Sequence, residues 1–487
     1  MTAGQLLDLI LDPGSLDRWD DPVVHAGADP GYRAALARAG ERTGLDEAVT
    51  TGRGLVGGRP IAVVASEFGF LGGSIGVATA ERITRAVERA TAERLPVLAL
   101  PVSGGTRMQE GTAAFLCMVR ITAAVQAHQA AGLPYLTYLR NPTMGGVFAS
   151  WGTLGHLVLA EPGARLGFLG PRVYEELRGE PLAEGVQQAE TLAARGLLDA
   201  VVPPARLREV LVRALGILAA TPPSGAAPVP PADHAGPAPD AWDAVLSTRA
   251  PGRPGAREVL LSAADDVLLL DGATGRPGAL LRGLAVFGGR PAVVVAQQRP
   301  AEGPPLPFTA ADLRAVRRTA RRAEQLGLPL LTVVDTPGAE LSAQAELDGV
   351  AIEIAQCLST LIGLRTPVLA VLLGQGSGGG ALALLPADRV LAADHAWLAP
   401  LPPEGASAIV HRDGEHAAEL ARSQGIGAAD LAAAGLVDEI VPEGGGPAEF
   451  CDRLGRAIGT ALGTLAARPE ADRLAARARR NRRLGGA

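Results

Sequence analysis

The chain carries one plan twice, and no other feature constrains its fold as much. Gly58-Arg59-Pro60-Ile61-Ala62-Val63-Val64 returns as Gly289-Arg290-Pro291-Ala292-Val293-Val294-Val295. Leu95-Pro96-Val97-Leu98 ahead of Ser103-Gly104-Gly105 returns as Leu328-Pro329-Leu330-Leu331 ahead of Thr336-Pro337-Gly338. Leu133-Pro134 ahead of Gly145-Gly146 is mirrored by Thr366-Pro367 ahead of Gly379-Gly380, and Gly196-Leu197-Leu198-Asp199 by Gly435-Leu436-Val437-Asp438. Order and spacing survive, so two copies of one fold are expected, able to face each other across a cleft.

At 487 residues the chain has room for two or three full cores, and the repeat selects two. Nine prolines among Gly and Ala over 221–255 read as a surface linker unable to build a helix or central strand. The expected organisation is therefore 1–220, a 221–255 linker, and 256–487. Within each half, short apolar runs such as Val97–Val102, Leu157–Leu159, Leu330–Val334 and Val368–Leu373 suit strands buried on both faces. They alternate with helical periods, one over 78–94 and one over 110–131 that ends at Gly132. Residues 1–57 read as a polar helical preamble. The economical class is α/β.

Composition removes whole chemistries. No lysine occurs anywhere, which excludes a Schiff base, a Walker A lysine, and a biotin or lipoate carried on this chain itself. Cys117, Cys357 and Cys451 lie far apart and read as buried apolar thiols, so no four-Cys zinc site or disulfide framework is expected. A net charge of −6 offers no field for nucleic acid. The lack of an 18-residue apolar run and of a basic leader points to a soluble cytoplasmic protein with no membrane role. The histidines are isolated and form no triad or metal pair. Arg473, Arg477, Arg479, Arg480, Arg482 and Arg483 read as a solvated C-terminal helix or frayed tail rather than a phosphate site.

Two glycine-rich turns could carry chemistry. Ser103 to Gly111 follows a buried strand and precedes a helix, where glycines let backbone approach a ligand and helix-terminal N–H groups point outward. A tight strand-to-helix turn would need the same glycines. Gly374-Gln375-Gly376-Ser377-Gly378-Gly379-Gly380-Ala381 is the second, with Thr143-Met144-Gly145-Gly146 as its repeat partner. It also satisfies Gly-x-Gly-x-x-Gly, with Asp394 following at dinucleotide-fold spacing, but Pro386 cuts short the helix such a site requires. Backbone donors with few acids or bases suit a thioester enolate that needs oxyanion stabilisation.

Taken together, these segments resemble the carboxyltransferase component of biotin-dependent acyl-CoA carboxylases, with the β and α subunits of the bacterial acetyl-CoA carboxylase type fused. The first half resembles β through Phe68 to Gly76, Ser103 to Gly111, Asn141 to Val147 and Ala160-Glu161-Pro162. The second resembles α through Gln297-Gln298-Arg299, Asp335 to Ala339, Gly374 to Leu382, Asp388 to Leu391 and Pro403 to Ala406. It departs from the family in lacking the cysteines of a zinc ribbon and in placing Ser377 one position early. The resemblance implies two crotonase-like ββα-superhelix domains in tandem. It implies that Gly104 and Gly105 hold an acyl-CoA enolate, and that Gly380 and Ala381 hold the ureido oxygen of carboxybiotin. Gly72, Gly73, Ser74, Arg107, Thr143, Gly145, Gly146, Gly378 and Gly379 would line the substrate sites, with no metal. The biotin would arrive on a separate carboxyl carrier protein charged by a biotin carboxylase, the product would be of malonyl-CoA type, and at least a homodimer would be needed. A biotin-independent malonyl-thioester decarboxylase is the alternative expectation.

Overall fold

The computed structural model describes residues 1–21, 25, 29–221, 238–270, 278–299 and 306–483. The chain divides into two compact units, one of Met1–Leu215 and one beginning at Gly216.

In the first unit the strands are β1 (Asp17–Arg18), β2 (Val49–Val56), β3 (Arg59–Ser66), β4 (Val97–Leu100), β5 (Tyr135–Leu139), β6 (Thr143–Met144), β7 (Leu157–Ala160), β8 (Leu166–Gly167) and β9 (Ala200–Val201). The sheet runs β1-β2-β3-β4-β5-β7-β9, while β6 pairs with β8 in a small ladder above it. The first two pairings are antiparallel and the rest parallel, so helices must cross over between successive strands. Helix Val77–Ala92 buries Ala80, Ile83, Val87 and Ala90 against helix Gly111–Ala130 and the sheet, in a core that includes Val97, Ile121 and Trp151.

The second unit repeats the plan with β10 (Asp266–Leu269), β11 (Leu280–Phe287), β12 (Arg290–Gln297), β13 (Leu330–Thr336), β14 (Val368–Ser377), β15 (Arg389–Ala393), β16 (Trp397–Ala399) and β17 (Glu439–Val441). Its order is β10-β11-β12-β13-β14-β15-β17, with β16 on β14. The repeated Gly-Arg-Pro marks the same two-residue turn in each unit. Gly57 and Gly58 have φ of 58° and 76°, and Gly288 and Gly289 have 57° and 73°, the left-handed pair a tight hairpin requires.

Three expectations are corrected. The preamble to residue 57 is not all helix: β1 and most of β2 lie within it, because Val49–Val56 pairs along its full length with β3. The region read as linker contains the helix Ala241–Thr248, capped by Asp240 and packed through Val245 on Trp397, Ala421 and Ile426; Pro222 to Pro237 lies outside the described residues. Helix Glu470–Arg483 is no frayed tail, since Arg473 and Arg477 are buried against Asp388. Among the described residues, no helix is long and apolar enough to cross a membrane. The three thiols are buried, as expected.

Candidate active site

Each unit presents a strand-to-helix turn whose glycines are positioned by a neighbouring loop. In the first unit β4 runs into Ser103-Gly104-Gly105, and the loop around Leu71–Gly73 lies against it. Gly104 N–H donates to the Gly72 carbonyl at 2.8 Å, Ile75 N–H to that of Gly105 at 2.9 Å, and Arg107 N–H to that of Ile75 at 2.9 Å. The fit requires Gly73, whose added Cβ would lie 2.1 Å from the Val102 carbonyl oxygen. Gly105 N–H donates to Ser103 Oγ at 3.0 Å. Both donors expected at Gly104 and Gly105 are thus committed inside the protein, and that expectation is corrected.

A short helix begins one turn away. Ser103 accepts from Met144 N–H at 2.8 Å, which sets the start of helix Gly145–Phe148 against Gly105. The first residues of a helix have N–H groups with no acceptor four residues back. Here those residues are Gly145 and Gly146, both partly exposed. Gly145 has φ 63°, and an added Cβ would lie 3.2 Å from Gly105 Cα.

The second unit repeats this geometry. Thr336 Oγ1 accepts from Gly338 N–H at 3.1 Å, as Ser103 does from Gly105, and Gly338 has φ 128° against 118° for Gly105. Ser377 holds the N-cap position of helix Gly378–Leu382 without a side-chain capping bond, and Gly378 has φ 60°. Gly145 therefore corresponds to Gly378 and Gly146 to Gly379, one register earlier than the motif spacing suggested. Gly378, Gly379 and Gly380 are the first three residues of that helix, where an N–H has no acceptor four residues back, and Gly380 is buried. Ala381 is the fourth residue after the cap, whose N–H is the first with an intrahelical acceptor, so its expected donor role is corrected. Gly380 packs so tightly on Gly338 that a Cβ would lie 2.8 Å from its carbonyl carbon, and Gln297 Nε2 donates to the Gly380 carbonyl at 2.8 Å.

Three other expected ligand-binding side chains face inward. Arg107 is fully buried and donates to Glu47 at 2.8 Å, to Tyr32 Oη at 3.2 Å and to the Ser74 carbonyl at 2.8 Å. Burial pulls its pKa down, but the bond to Glu47 and that carboxylate's charge outweigh this and hold it above the usual value. Ser74 Oγ accepts from Arg107 Nε at 3.2 Å, and Thr143 Oγ1 donates to the carbonyls of Arg140 and Pro101 at 2.7 and 3.0 Å. Their roles in a substrate site are corrected to bracing the turn.

The motif reading missed a charged cluster in the second unit. His395 Nδ1 lies 2.8 Å from Asp394, and Glu443 sits on both His395 and Arg253. The bond to Asp394, then that to Glu443, raises His395 to about 9. Burial pushes Glu443 up, but its bonds to His395 and Arg253 prevail and hold it down to about 2. The Asp394, His395 and Glu443 ligand atoms lie within 4.8 Å of one another, yet Arg253 already supplies the cation there. The weak signal was Asp394-His395 beside a strand end.

The two units thus share one α/β plan, with a glycine-rich strand-to-helix turn in each copy. The carboxyl transferase domain family matches residues 1–443, and the chain belongs to it. A probable biotin-dependent acyl-coenzyme A carboxylase beta3 subunit of Mycobacterium tuberculosis is 56% identical over 100% of this chain and 99% of its own. The acetyl-coenzyme A carboxylase carboxyl transferase subunits beta/alpha of Salinispora arenicola are 41% identical over 91% and 82%. Transcarboxylase 12S, solved as a hexamer with methylmalonyl-coenzyme A bound, superposes with a TM-score of 0.77 at 24% identity over 96% of this chain and 90% of its own, which shows the tandem crotonase-like fold. The chain is an enzyme of the carboxyltransferase type.

Proposed function

We propose that this cytoplasmic enzyme moves a carboxyl group between carboxybiotin, borne on a separate carrier protein, and the α carbon of an acyl-CoA thioester. The first unit would take the thioester and the second the biotin. The observation that carries the reading is the pair of matched N–H crevices at Gly145-Gly146 and Gly378-Gly379-Gly380. The two reactants develop oxyanions, one on the thioester oxygen and one on the ureido oxygen, and neutral N–H donors fit both.

Biotin, when bound, supplies the carboxyl group and, once that has left its ring nitrogen, the base that takes the α proton. The chain's own part is to bind and orient. Gly145 and Gly146 N–H would hold the thioester oxygen while charge builds on it, and Gly379 and Gly380 N–H would do the same for the ureido oxygen. Each such donor contributes on the order of 10²–10³ in rate.

A biotin carboxylase and a biotin carrier are the partners this chemistry requires, because a chain without lysine cannot carry biotin itself. Exposed Met108, Phe115, Leu116 and Val119 flank the first turn, and Leu341, Leu347 and Ile352 the second. Such faces support assembly with a second copy. Purified chain is to be given malonyl-CoA with and without biotin. Biotin-dependent carboxyl transfer is expected; loss of CO₂ indifferent to biotin would restore the decarboxylase alternative, which the relatives do not support.

A further inference from the structure

The donor helix of the second unit is aimed by an irregularity in β14. Val334 pairs with Leu372, yet two residues on Thr336 pairs with Gly376, so β14 carries extra residues around Leu373–Gln375. A bulge of this kind strips backbone groups of their ladder partners and redirects the strand. Two charged side chains take up the loose ends. Asp335 Oδ1 accepts from Gln375 N–H at 3.0 Å, and Arg253 Nη2 donates to the Leu373 carbonyl at 2.6 Å. Gly374 lies between them, where a Cβ would be 2.7 Å from Asp335 Oδ1 and 2.8 Å from Arg253 Nη1.

Both side chains are fixed from behind. Asp335 is buried, with Arg299 Nε 2.8 Å from Oδ2, a close ion pair set off the hydrogen-bond axis. Burial raises the Asp335 pKa, and the charges of Arg299 and Arg253 oppose that rise. Glu443 grips Arg253 through Nε at 3.0 Å and Nη2 at 2.7 Å. The first unit solves the same problem with other residues, Glu161 Oε2 accepting from Asn141 N–H at 3.0 Å. There the strand stops at Leu139, Asn141-Pro142 intervenes, and Thr143 Oγ1 bonds the carbonyls of Pro101 and Arg140. Val102 stands where the repeat sets Asp335.

We propose that Asp335 and Arg253 are positioning residues of the second unit: by satisfying the β14 bulge they fix the direction of the Gly378, Gly379 and Gly380 N–H groups. The effect on biotin rests on the reading that this unit takes biotin.

The test is carboxyl exchange from malonyl-CoA to free biotin by the full chain, with each substrate varied in turn. Asp335→Ala is expected to lower kcat/KM for biotin by on the order of 10²-fold, the scale of a misplaced site, while KM for malonyl-CoA stays that of the parent. Asp335→Asn, which keeps an acceptor for the Gln375 N–H, is expected to recover part of the loss. Parent-like biotin kinetics in Asp335→Ala, or equal damage to both substrates with no rescue by Asn, overturns the proposal. A change confined to malonyl-CoA upholds positioning and overturns the assignment of this unit to biotin. Should Asp335→Ala fail to fold, Arg253→Lys, which loses the forked grip of Glu443, must show the same split, and parent kinetics there overturn the proposal.

Discussion

Arg107 and Glu47 are both fully shielded from solvent, and each is the other's main partner. Removing one member of such a pair leaves a buried charge uncompensated, so Arg107→Leu is expected to destabilise the first unit by about 3–5 kcal/mol. Urea unfolding followed through Trp19 and Trp151 reads this, and a loss under about 1 kcal/mol, the value of an exposed pair, would contradict it. Tyr32 shares the network: burial first, then the bond to Glu110, lifts its hydroxyl to about 12, so it stays protonated at any working pH. The donors follow different logic. Gly146→Val would place its Cβ 3.2 Å from Met118 Cγ and crowd the crevice, and transfer is expected to fall by on the order of 10²–10³ with the fold retained. The motifs single out these two turns, but they do not show that the Gly104 and Gly105 N–H groups are already bonded within the protein. Whether an N–H is free depends on a carbonyl such as that of Gly72, over thirty positions away in the chain, and no local pattern records it.

Elements with a strong period were legible: helix Val77–Ala92 and the apolar strands fall where their spacing put them. Those whose partner sets the structure were not. β2 reads as polar because Gly52, Arg53 and Gly54 break its run, and it forms only because β3 pairs with it. Helix Glu470–Arg483 looked solvated because its arginines dominate, but Arg477 reaches the Leu364 and Thr366 carbonyls and Asp388. Arg477→Ala is expected to cost about 1.5–3 kcal/mol for a lost charged hydrogen-bonding group, and to hasten proteolytic release of this helix. Unchanged cleavage would show that the helix is held otherwise. The His395 cluster ties the ends of β15 and β17 together. Its raised pKa means that its contribution is full below the ordinary value of 6.5 and is lost as pH rises through about 9. Thermal melts from pH 7 to 10 should therefore fall more steeply in the parent than in His395→Gln, and parallel profiles would remove His395 from the account.

At the scale of the whole molecule, the repeat made the tandem fold legible, because two copies of one element order leave few architectures open. It could not disclose how the copies differ, a proline break in one and a charged bulge in the other, since these are solutions to the same turn by unrelated residues. If the cooperating crevices belong to different chains, hybrids of Gly146→Val and Gly379→Val should regain activity that neither variant has alone. Each hybrid dimer then holds one intact pair of crevices, and hybrids as inactive as their parents would place both crevices in one chain. The central claim is tested most directly by following label from malonyl-CoA into biotin. Carboxylated biotin is expected from the parent chain, and at a rate lower by on the order of 10²–10³ from either Gly146→Val or Gly379→Val. Transfer at the parent rate in one of these variants, or CO₂ release at the same rate with no biotin present, would contradict it.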